Sequence, residues 1–172
     1  RPMSISFRQR PSNGSPLLVD GEEAAAVYGQ SYAKSEQRDN LAWKFNRAAG
    51  DRFSIGMLHT QVGSRESTYA PCTLDDLKEC GMDYWALGHI HKHDILCEKP
   101  YIVYAGNPQG LDCTESGPRG CYYVEVGPMN DEYRIHRYQH RPLGKHRPRH
   151  RRYRIGVGTA RVRPLRQGKS AP

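Results

Sequence analysis

Three histidines occupy the same kind of position in this sequence, directly after a buried apolar segment. His59 ends one such segment, and His89 and His91 follow the next one after Gly88. In layered α/β proteins, loops after buried strands collect ligands and metals, because the scaffold is rigid and the loop is free to carry polar groups. Imidazole is a common ligand of divalent metals. The pattern therefore predicts a metal site built from these three side chains.

The spacing of His89 and His91 indicates how they would share a site. Residues two apart in extended backbone project from one side, about 6–7 Å apart. That spacing suits one imidazole on each of two metals about 3.5–4 Å apart, and Gly88 lets the backbone approach closely. A satisfied polar side chain is the alternative for His59 alone, and a His-x-His pair alone is a weak pattern. His93 would extend it to a three-histidine zinc site, but we assign His93 to the start of the next strand.

The elements that position the histidines alternate at first and then become mostly strands. Residues 1–16 are rich in Pro, Ser, Asn and Gly and are predicted to be loop. Strands are predicted at residues 17–19, 24–32, 53–58, 83–87, 95–97, 101–104, 121–126 and 133–138. This order predicts an α/β layered domain that ends in an antiparallel sheet.

Two helices are predicted between these strands. The first begins at Ser35, presents one apolar face to residue 49, and ends at Gly50. The second begins at Thr73, where Asp76 completes a capping box, and ends at Gly81.

Cysteine usage and hydropathy limit the class of protein. The five cysteines are scattered, odd in number and without a Cys-x-x-Cys pair, which argues against a zinc ribbon and a disulfide framework and favours a reducing compartment. No apolar run approaches the roughly 20 residues of a membrane span. We therefore expect a cytoplasmic protein with no membrane partner.

Charge divides the chain into two parts. Residues 1–133 carry 13 Lys and Arg against 18 Asp and Glu, whereas residues 134–172 carry 13 Lys and Arg and no acid. We predict a body over residues 1–132 and a basic, disordered tail over residues 133–172. Three interpretations of the tail stay open: a DNA-binding arm, a disordered tail without a dedicated role, and an out-of-frame translation.

Four ordered motifs carry a resemblance to a known family. They are Ile-Gly-Met-Leu-His-Thr at 55–60, Tyr-Ala-Pro-Cys at 69–72, Asp-Tyr-Trp-Ala-Leu-Gly-His-Ile-His at 83–91 and Ile-Val-Tyr-Ala-Gly-Asn-Pro-Gln-Gly at 102–110. Over roughly residues 17–126 the chain resembles the calcineurin-like metallophosphoesterases, and more narrowly the SbcD/YhaO-type DNA repair exonucleases. The resemblance implies part of a layered α-β-β-α sandwich, with mixed sheets and flanking helices.

The resemblance also implies roles for individual residues. His59 and His89 would bind the second of two divalent metal ions, manganese in this family, and His91 would bind the first. Gly88 and Asn107 would line the cleft without ligating.

The family's remaining motifs are missing from this sequence. They are an Asp-x-His, a bridging Gly-Asp and a Gly-Asn-His-Asp; the one Gly-Asp pair, at 50–51, follows a predicted helix. Three imidazoles supply no negative charge to offset two divalent cations. We therefore expect the C-terminal half of a metallophosphoesterase domain that retains no catalytic residue and is inactive alone.

The complete protein is expected to be a DNA exonuclease that hydrolyses phosphodiester bonds. The resemblance implies DNA and an SbcC/YhaN-like ATPase subunit as partners and leaves a homodimer open. Asp83 and Asp94 are two candidates for orienting the metal-binding histidines. One alternative is a non-catalytic nucleic-acid-binding module that uses the basic tail; an amidohydrolase barrel fits less well, because His59 lies upstream of the His-x-His pair.

Overall fold

The computed structural model describes residues 5–7, 14–111, 114–127 and 133–140. The described residues form nine strands, one α-helix and one 3₁₀ helix. The strands are β1 (Ile5–Phe7), β2 (Gly14–Val19), β3 (Glu22–Gln30), β4 (Ser54–His59), β5 (Tyr84–Gly88), β6 (Asp94–Glu98), β7 (Tyr101–Tyr104), β8 (Arg119–Val126) and β9 (Tyr133–His140). The 3₁₀ helix spans Leu41–Lys44, and α1 spans Leu74–Glu79.

Seven strands form one mixed sheet in the order β1-β2-β3-β4-β5-β7-β6. The four central strands, β3, β4, β5 and β7, run parallel, and antiparallel strands flank them on both sides. Parallel neighbours end at the same edge of a sheet, so the loops after β4 and β5 meet. The fold class is therefore mixed α/β, as predicted.

One face of the sheet packs on the helical segments through a core centred on Trp85. The Trp85 side chain is fully buried, and its indole Nε1 donates to the Leu77 carbonyl of α1 at 2.9 Å. Phe45 packs against the indole with ring centroids 4.8 Å apart. Gly56 lies below the ring, where an added Cβ would come within 2.5 Å of the indole. A side chain at position 56 would therefore displace the largest residue of the core.

The helix predicted from Ser35 to residue 49 does not form. Asn40 instead caps the short 3₁₀ helix, its side chain accepting from the Ala42 amide, and the chain is extended again at Phe45. Asn40 and Trp43 both donate to the Asp76 carboxylate at the start of α1. These tertiary contacts hold a short turn in place of a long helix. The capping box of α1, between Thr73 and Asp76, is confirmed.

The hairpin of β8 and β9 packs on the opposite face of the large sheet. Tyr122, Val124 and Ile135 contact an apolar cluster that contains Phe53 and Val103. The strand predicted at residues 133–138 is confirmed and extends to His140.

Two segments that we expected to be loop or disordered tail form paired strands. Residues 5–7, expected to be loop, pair with β2. Residues 133–140, which we assigned to the tail, pair with β8 over eight positions, because their alternating side chains suit a strand. Residues 141–172 lie outside the described residues, so the domain boundary and the three interpretations of the tail stay predictions.

A network of polar side chains lies at the N-terminal end of the parallel strands. The Asp83 carboxylate accepts from the Ser54 amide at 2.7 Å and from the Arg47 guanidinium at 3.0 Å. Arg47 also donates to the Asp51 carbonyl at 3.0 Å, and the buried Asp51 carboxylate accepts from the Tyr28 hydroxyl. Asp83 therefore ties two strands together at the end remote from the histidines, so its candidacy for orienting them is wrong.

The described residues include four of the five cysteines. Cys72, Cys80, Cys97 and Cys121 are free thiols. Burial is the main cause that raises the pKa of the Cys80 thiol to about 11. None of the helices in the described part of the chain has the length and apolar character to cross a membrane.

Candidate functional site

His59 and His89 lie side by side at the C-terminal ends of two neighbouring parallel strands. In the register of β4 and β5, His59 pairs with Gly88, so that His89 follows directly. The two imidazole centroids are 5.2 Å apart, with ring planes at 69°. A Cβ added at Gly88 would lie 3.1 Å from Nδ1 of His59. Glycine at this position therefore allows the close approach that the sequence predicted.

The backbone of His89 departs from the extended form that we predicted for the His-x-His segment. Its φ is +98°, in a region that residues with a side chain rarely adopt. β5 ends at Gly88, and the turn directs the His89 ring toward His59 and the ring of Tyr69. The extended geometry is therefore wrong, because the chain bends immediately after the strand. Such outliers cluster at functional sites.

Two tyrosines support this pair of rings. Tyr69 stacks on His89 with centroids 4.4 Å apart and planes at 28°. Tyr32 donates from its hydroxyl to the His59 carbonyl at 2.7 Å, and its ring meets the His59 ring edge-on. Burial, followed by the neighbouring Tyr69 and Cys72, raises the pKa of Tyr32 to about 12. Tyr32 therefore keeps its proton and its donor role at neutral pH.

The imidazole of His89 is neutral at physiological pH. Burial is the largest cause that lowers the pKa of His89, and repulsion from His59 and His91 lowers it further. A neutral imidazole keeps a nitrogen lone pair, which is the form that binds metals. Among the described residues, no group hydrogen-bonds to the ring nitrogens of His59 or His89.

His91 has a different environment, with its ring bound to a carboxylate. Nδ1 of His91 lies 2.5 Å from Oε1 of Glu115. The other oxygen of Glu115 accepts from the Asn107 side-chain amide at 3.2 Å and from the Leu111 amide at 3.1 Å, and the Arg119 guanidinium lies 3.6 Å away. The bond from His91 and that from the Leu111 amide are the main causes that hold the pKa of Glu115 below its usual range. The carboxylate is therefore ionised and fully engaged.

The segment after β7 also holds the backbone of His91. The His91 carbonyl accepts from the Asn107 amide at 3.0 Å and from the Arg119 guanidinium at 2.6 Å. A Cβ added at Gly106 would come within 2.8 Å of that carbonyl, and Gly106 has a φ of +74° that favours glycine. Gly106 therefore allows the two segments to touch along their backbones.

A cavity of about 160 Å³ lies beside His91. His91, His93, Asn107 and Arg119 are among the residues that line it. Asn107 lines this cavity and its side-chain amide donates to Glu115; its place in a metal cleft stays a prediction. His93 was predicted to begin the next strand, but β6 begins at Asp94, and His93 lines the cavity with His91.

The donor atoms fit part of a metal site. His59 and His89 place two imidazoles side by side at a shared edge of the sheet, and imidazole is a suitable ligand for a divalent transition metal. Within the described ranges, no group of three or more His, Cys, Asp or Glu side chains is arranged to hold a metal ion. The Glu115 carboxylate is taken up by its four partners. The three-histidine ligand set therefore stays a prediction, with two of its rings adjacent.

Sequence reasoning missed three residues of this site. Tyr69 stands in a motif that carried the family resemblance, but nothing in its spacing indicated a stack on His89. Tyr32 ends a predicted strand without further signal. Glu115 lies 24 residues after His91 in a loop, and no periodicity connects the two; Asp94, the other candidate partner for the histidines, makes no hydrogen bond to them.

Comparison with known proteins gives one informative match. No protein-family model matches the chain. Over 124 residues the chain is 40% identical to the uncharacterized metallophosphoesterase YhaO of Bacillus subtilis strain 168. The match covers 70% of this chain and 30% of that protein, so the chain spans less than a third of the relative's length. Together with the mixed α/β fold, this identity supports the metallophosphoesterases as the family of the chain.

Proposed function

We propose that this chain supplies histidine ligands to the metal site of a phosphoester hydrolase, and that the complete protein hydrolyses phosphodiester bonds in DNA. The observation that carries the proposal is the pair of imidazoles, His59 and His89, 5.2 Å apart at adjacent strand ends. Neither ring has a hydrogen-bond partner among the described residues. The similarity to a metallophosphoesterase gives the pair a chemical role.

The ligand assignment follows the family resemblance. His59 and His89 bind one divalent ion, His91 binds the other, and manganese is the proposed metal. A divalent ion in such a site polarises phosphoryl oxygens and lowers the pKa of bound water. Gly88 has no side chain and so leaves room for the His59 ring, and Asn107 lines the neighbouring cleft.

Two tyrosines of the chain orient the proposed ligands His59 and His89. Stacking on Tyr69 fixes the plane of the His89 ring, and the bond from Tyr32 fixes the carbonyl of His59. The neutral state of His89 keeps a lone pair available without loss of a proton. These contacts lower the entropy that the two side chains would lose on binding an ion.

DNA as substrate rests on the narrower resemblance to the SbcD/YhaO-type exonucleases. The 13 basic residues after position 133, with no acid among them, would neutralise backbone phosphates and release counterions. The same resemblance supports an SbcC/YhaN-like ATPase subunit as partner, a homodimer as an assembly, and the cytoplasm as location.

A non-catalytic nucleic-acid-binding module is the second candidate. The charge division of the chain favours it, since an acidic body with a strongly basic end can bind phosphates without a metal. Removing the basic residues after position 140 separates the two candidates. A binding module loses its affinity for DNA, whereas a metal-site protein still binds manganese.

The chain is further proposed to need acidic ligands from elsewhere in the complete protein. One ion can bind to the neighbouring imidazoles of His59 and His89, whereas two adjacent divalent ions require negative charge and a carboxylate that bridges them. We therefore expect little manganese-dependent nuclease activity from the 172-residue chain alone. Strong activity that is lost in His89→Ala would contradict this part of the proposal.

Titration with Mn²⁺ tests the proposal directly. Calorimetry on the 172-residue chain should detect binding that weakens by at least about tenfold in His59→Ala and in His89→Ala. His136→Ala is the matched control, because His136 lies on the hairpin, is paired with Glu125, and is half exposed. Equal Mn²⁺ affinity in all three variants, or no binding by the unmodified chain, would refute a metal site at this edge.

A further inference from the structure

We propose that Glu115 is a positioning residue that holds His91 in one ring orientation and one tautomer, with Nδ1 protonated and Nε2 left for a ligand. The inference rests on the proposed function, because it describes how His91 is prepared for a metal. Its main test, however, is made without metal.

The geometry of the His91–Glu115 pair assigns the proton. An ionised carboxylate only accepts hydrogen bonds, and Oε1 of Glu115 lies 2.5 Å from Nδ1 of His91. Nδ1 must therefore carry the hydrogen. A neutral imidazole has one protonated nitrogen, so the lone pair is on Nε2. Metal-binding histidines commonly donate their other N–H to a carboxylate in this way, which fixes ring and tautomer.

Glu115 is itself held in place. Its side chain is 15% exposed, and its second oxygen accepts from Asn107 and from the Leu111 amide. Arg119 adds an ion pair at 3.6 Å. These contacts hold the carboxylate beside the ring of His91.

Both the ring and the backbone of His91 are thus fixed by one segment. Asn107 and Arg119 bind its carbonyl while Glu115 binds its ring. A pair on the hairpin offers a contrast. His136 meets Glu125 through Nε2 at 3.2 Å. His136 is as exposed as His91, at 51% and 50%, but Glu125 is 31% exposed whereas Glu115 is 15% exposed. The His136–Glu125 pair therefore provides a matched control.

The test reads the tautomer by long-range ¹H–¹⁵N correlation on the labelled 172-residue chain without metal, at about pH 8, where free histidine is neutral. Signals of His91 are assigned by their loss in His91→Gln. We expect the Nδ1–H tautomer in the unmodified chain and a mixture of tautomers in Glu115→Ala. Glu125→Ala should change the signals of His136 and leave those of His91 unchanged.

Two results overturn the proposal. One is an Nε2–H tautomer in the unmodified chain, which decides the question even if Glu115→Ala fails to fold. The other is an unchanged Nδ1–H tautomer in a folded Glu115→Ala variant. A parallel Mn²⁺ titration should show affinity about 10–100-fold weaker in Glu115→Ala. If the unmodified chain binds no Mn²⁺, the proposed function is refuted. The tautomer measurement is made without metal, so it still tests the role of Glu115.

Discussion

The two ends of the parallel strands carry polar side chains that behave in opposite ways. At the N-terminal end, Asp83, Arg47 and Asp51 join with strand amides and a tyrosine hydroxyl in one network. At the C-terminal end, His59 and His89 lie 5.2 Å apart with no hydrogen bond to their rings from any described residue.

The difference separates polar groups that stabilise the fold from the two histidines to which we assign metal binding in the proposed function. Buried polar groups without partners destabilise a protein, so the network around Asp51 and Ser54 satisfies its members. His59 is exposed and His89 is half-buried, so their rings need no partner in the protein. At the histidine end, the structure instead includes a strained backbone at His89, with a φ of +98°. Strain of this kind costs about 1–3 kcal/mol. We therefore expect substitutions at the two ends to change stability and binding in opposite senses.

The largest effect is expected from Asp83→Ala. The substitution removes acceptors for the Ser54 amide and the Arg47 guanidinium and leaves both groups partly buried. The free energy of unfolding should fall by about 2–3 kcal/mol. Urea denaturation measures this loss, while Mn²⁺ affinity of the folded variant should stay unchanged. A variant as stable as the unmodified chain would show that the network contributes little.

His89→Gly should change the free energy of unfolding in the opposite direction. Glycine adopts a φ of +98° without strain, so the free energy of unfolding should rise by about 1 kcal/mol even though Mn²⁺ binding is lost. His136→Gly provides the comparison, since glycine in β9 should lower stability by about 0.5–1 kcal/mol. A lower stability of His89→Gly would mean that ring contacts outweigh the strain.

The smallest effect is expected from Tyr69→Leu. This substitution removes the stack on His89 and keeps an apolar side chain at the same position. Aromatic stacking contributes about 0.5–1.5 kcal/mol, and Tyr69 is 41% exposed, so a loss of about 0.5 kcal/mol is expected. Tyr69→Phe should retain the stack and the stability. Equal losses in both variants would assign the effect to the hydroxyl instead.

Local signals predicted most strands and α1, because turn residues and a capping box act over a few positions. The strands that end at His59 and precede His89 were found this way, and so was Thr73 as the start of α1. The helix from Ser35 was predicted from an N-cap residue, one apolar face and a terminal glycine. It failed because Asn40 and Trp43 bind Asp76, 33 or more residues away, and no local pattern records such a contact.

The sequence predicted the strand ends on which His59 and His89 lie, and it did not predict the surroundings of these side chains. Histidines after strands mark an edge of the sheet, which is a consequence of strand order. The turn at His89 and the bond between His91 and Glu115 depend instead on how loops pack. Sequence spacing does not place Glu115, which is 24 residues after His91, because its position depends on how the segment after β7 packs at Gly106 against His91.

The pairing of His59 with Gly88 brings His89 beside His59, and the turn at His89 then sets the separation of the two rings. Neighbouring strands lie about 4.8 Å apart, and the ring centroids are 5.2 Å apart. In the proposed metal site, the register and the turn together would act like a short tether between two donors, so that the second imidazole would have a high effective concentration once the first is bound. A one-residue slip between β4 and β5 would separate the two rings.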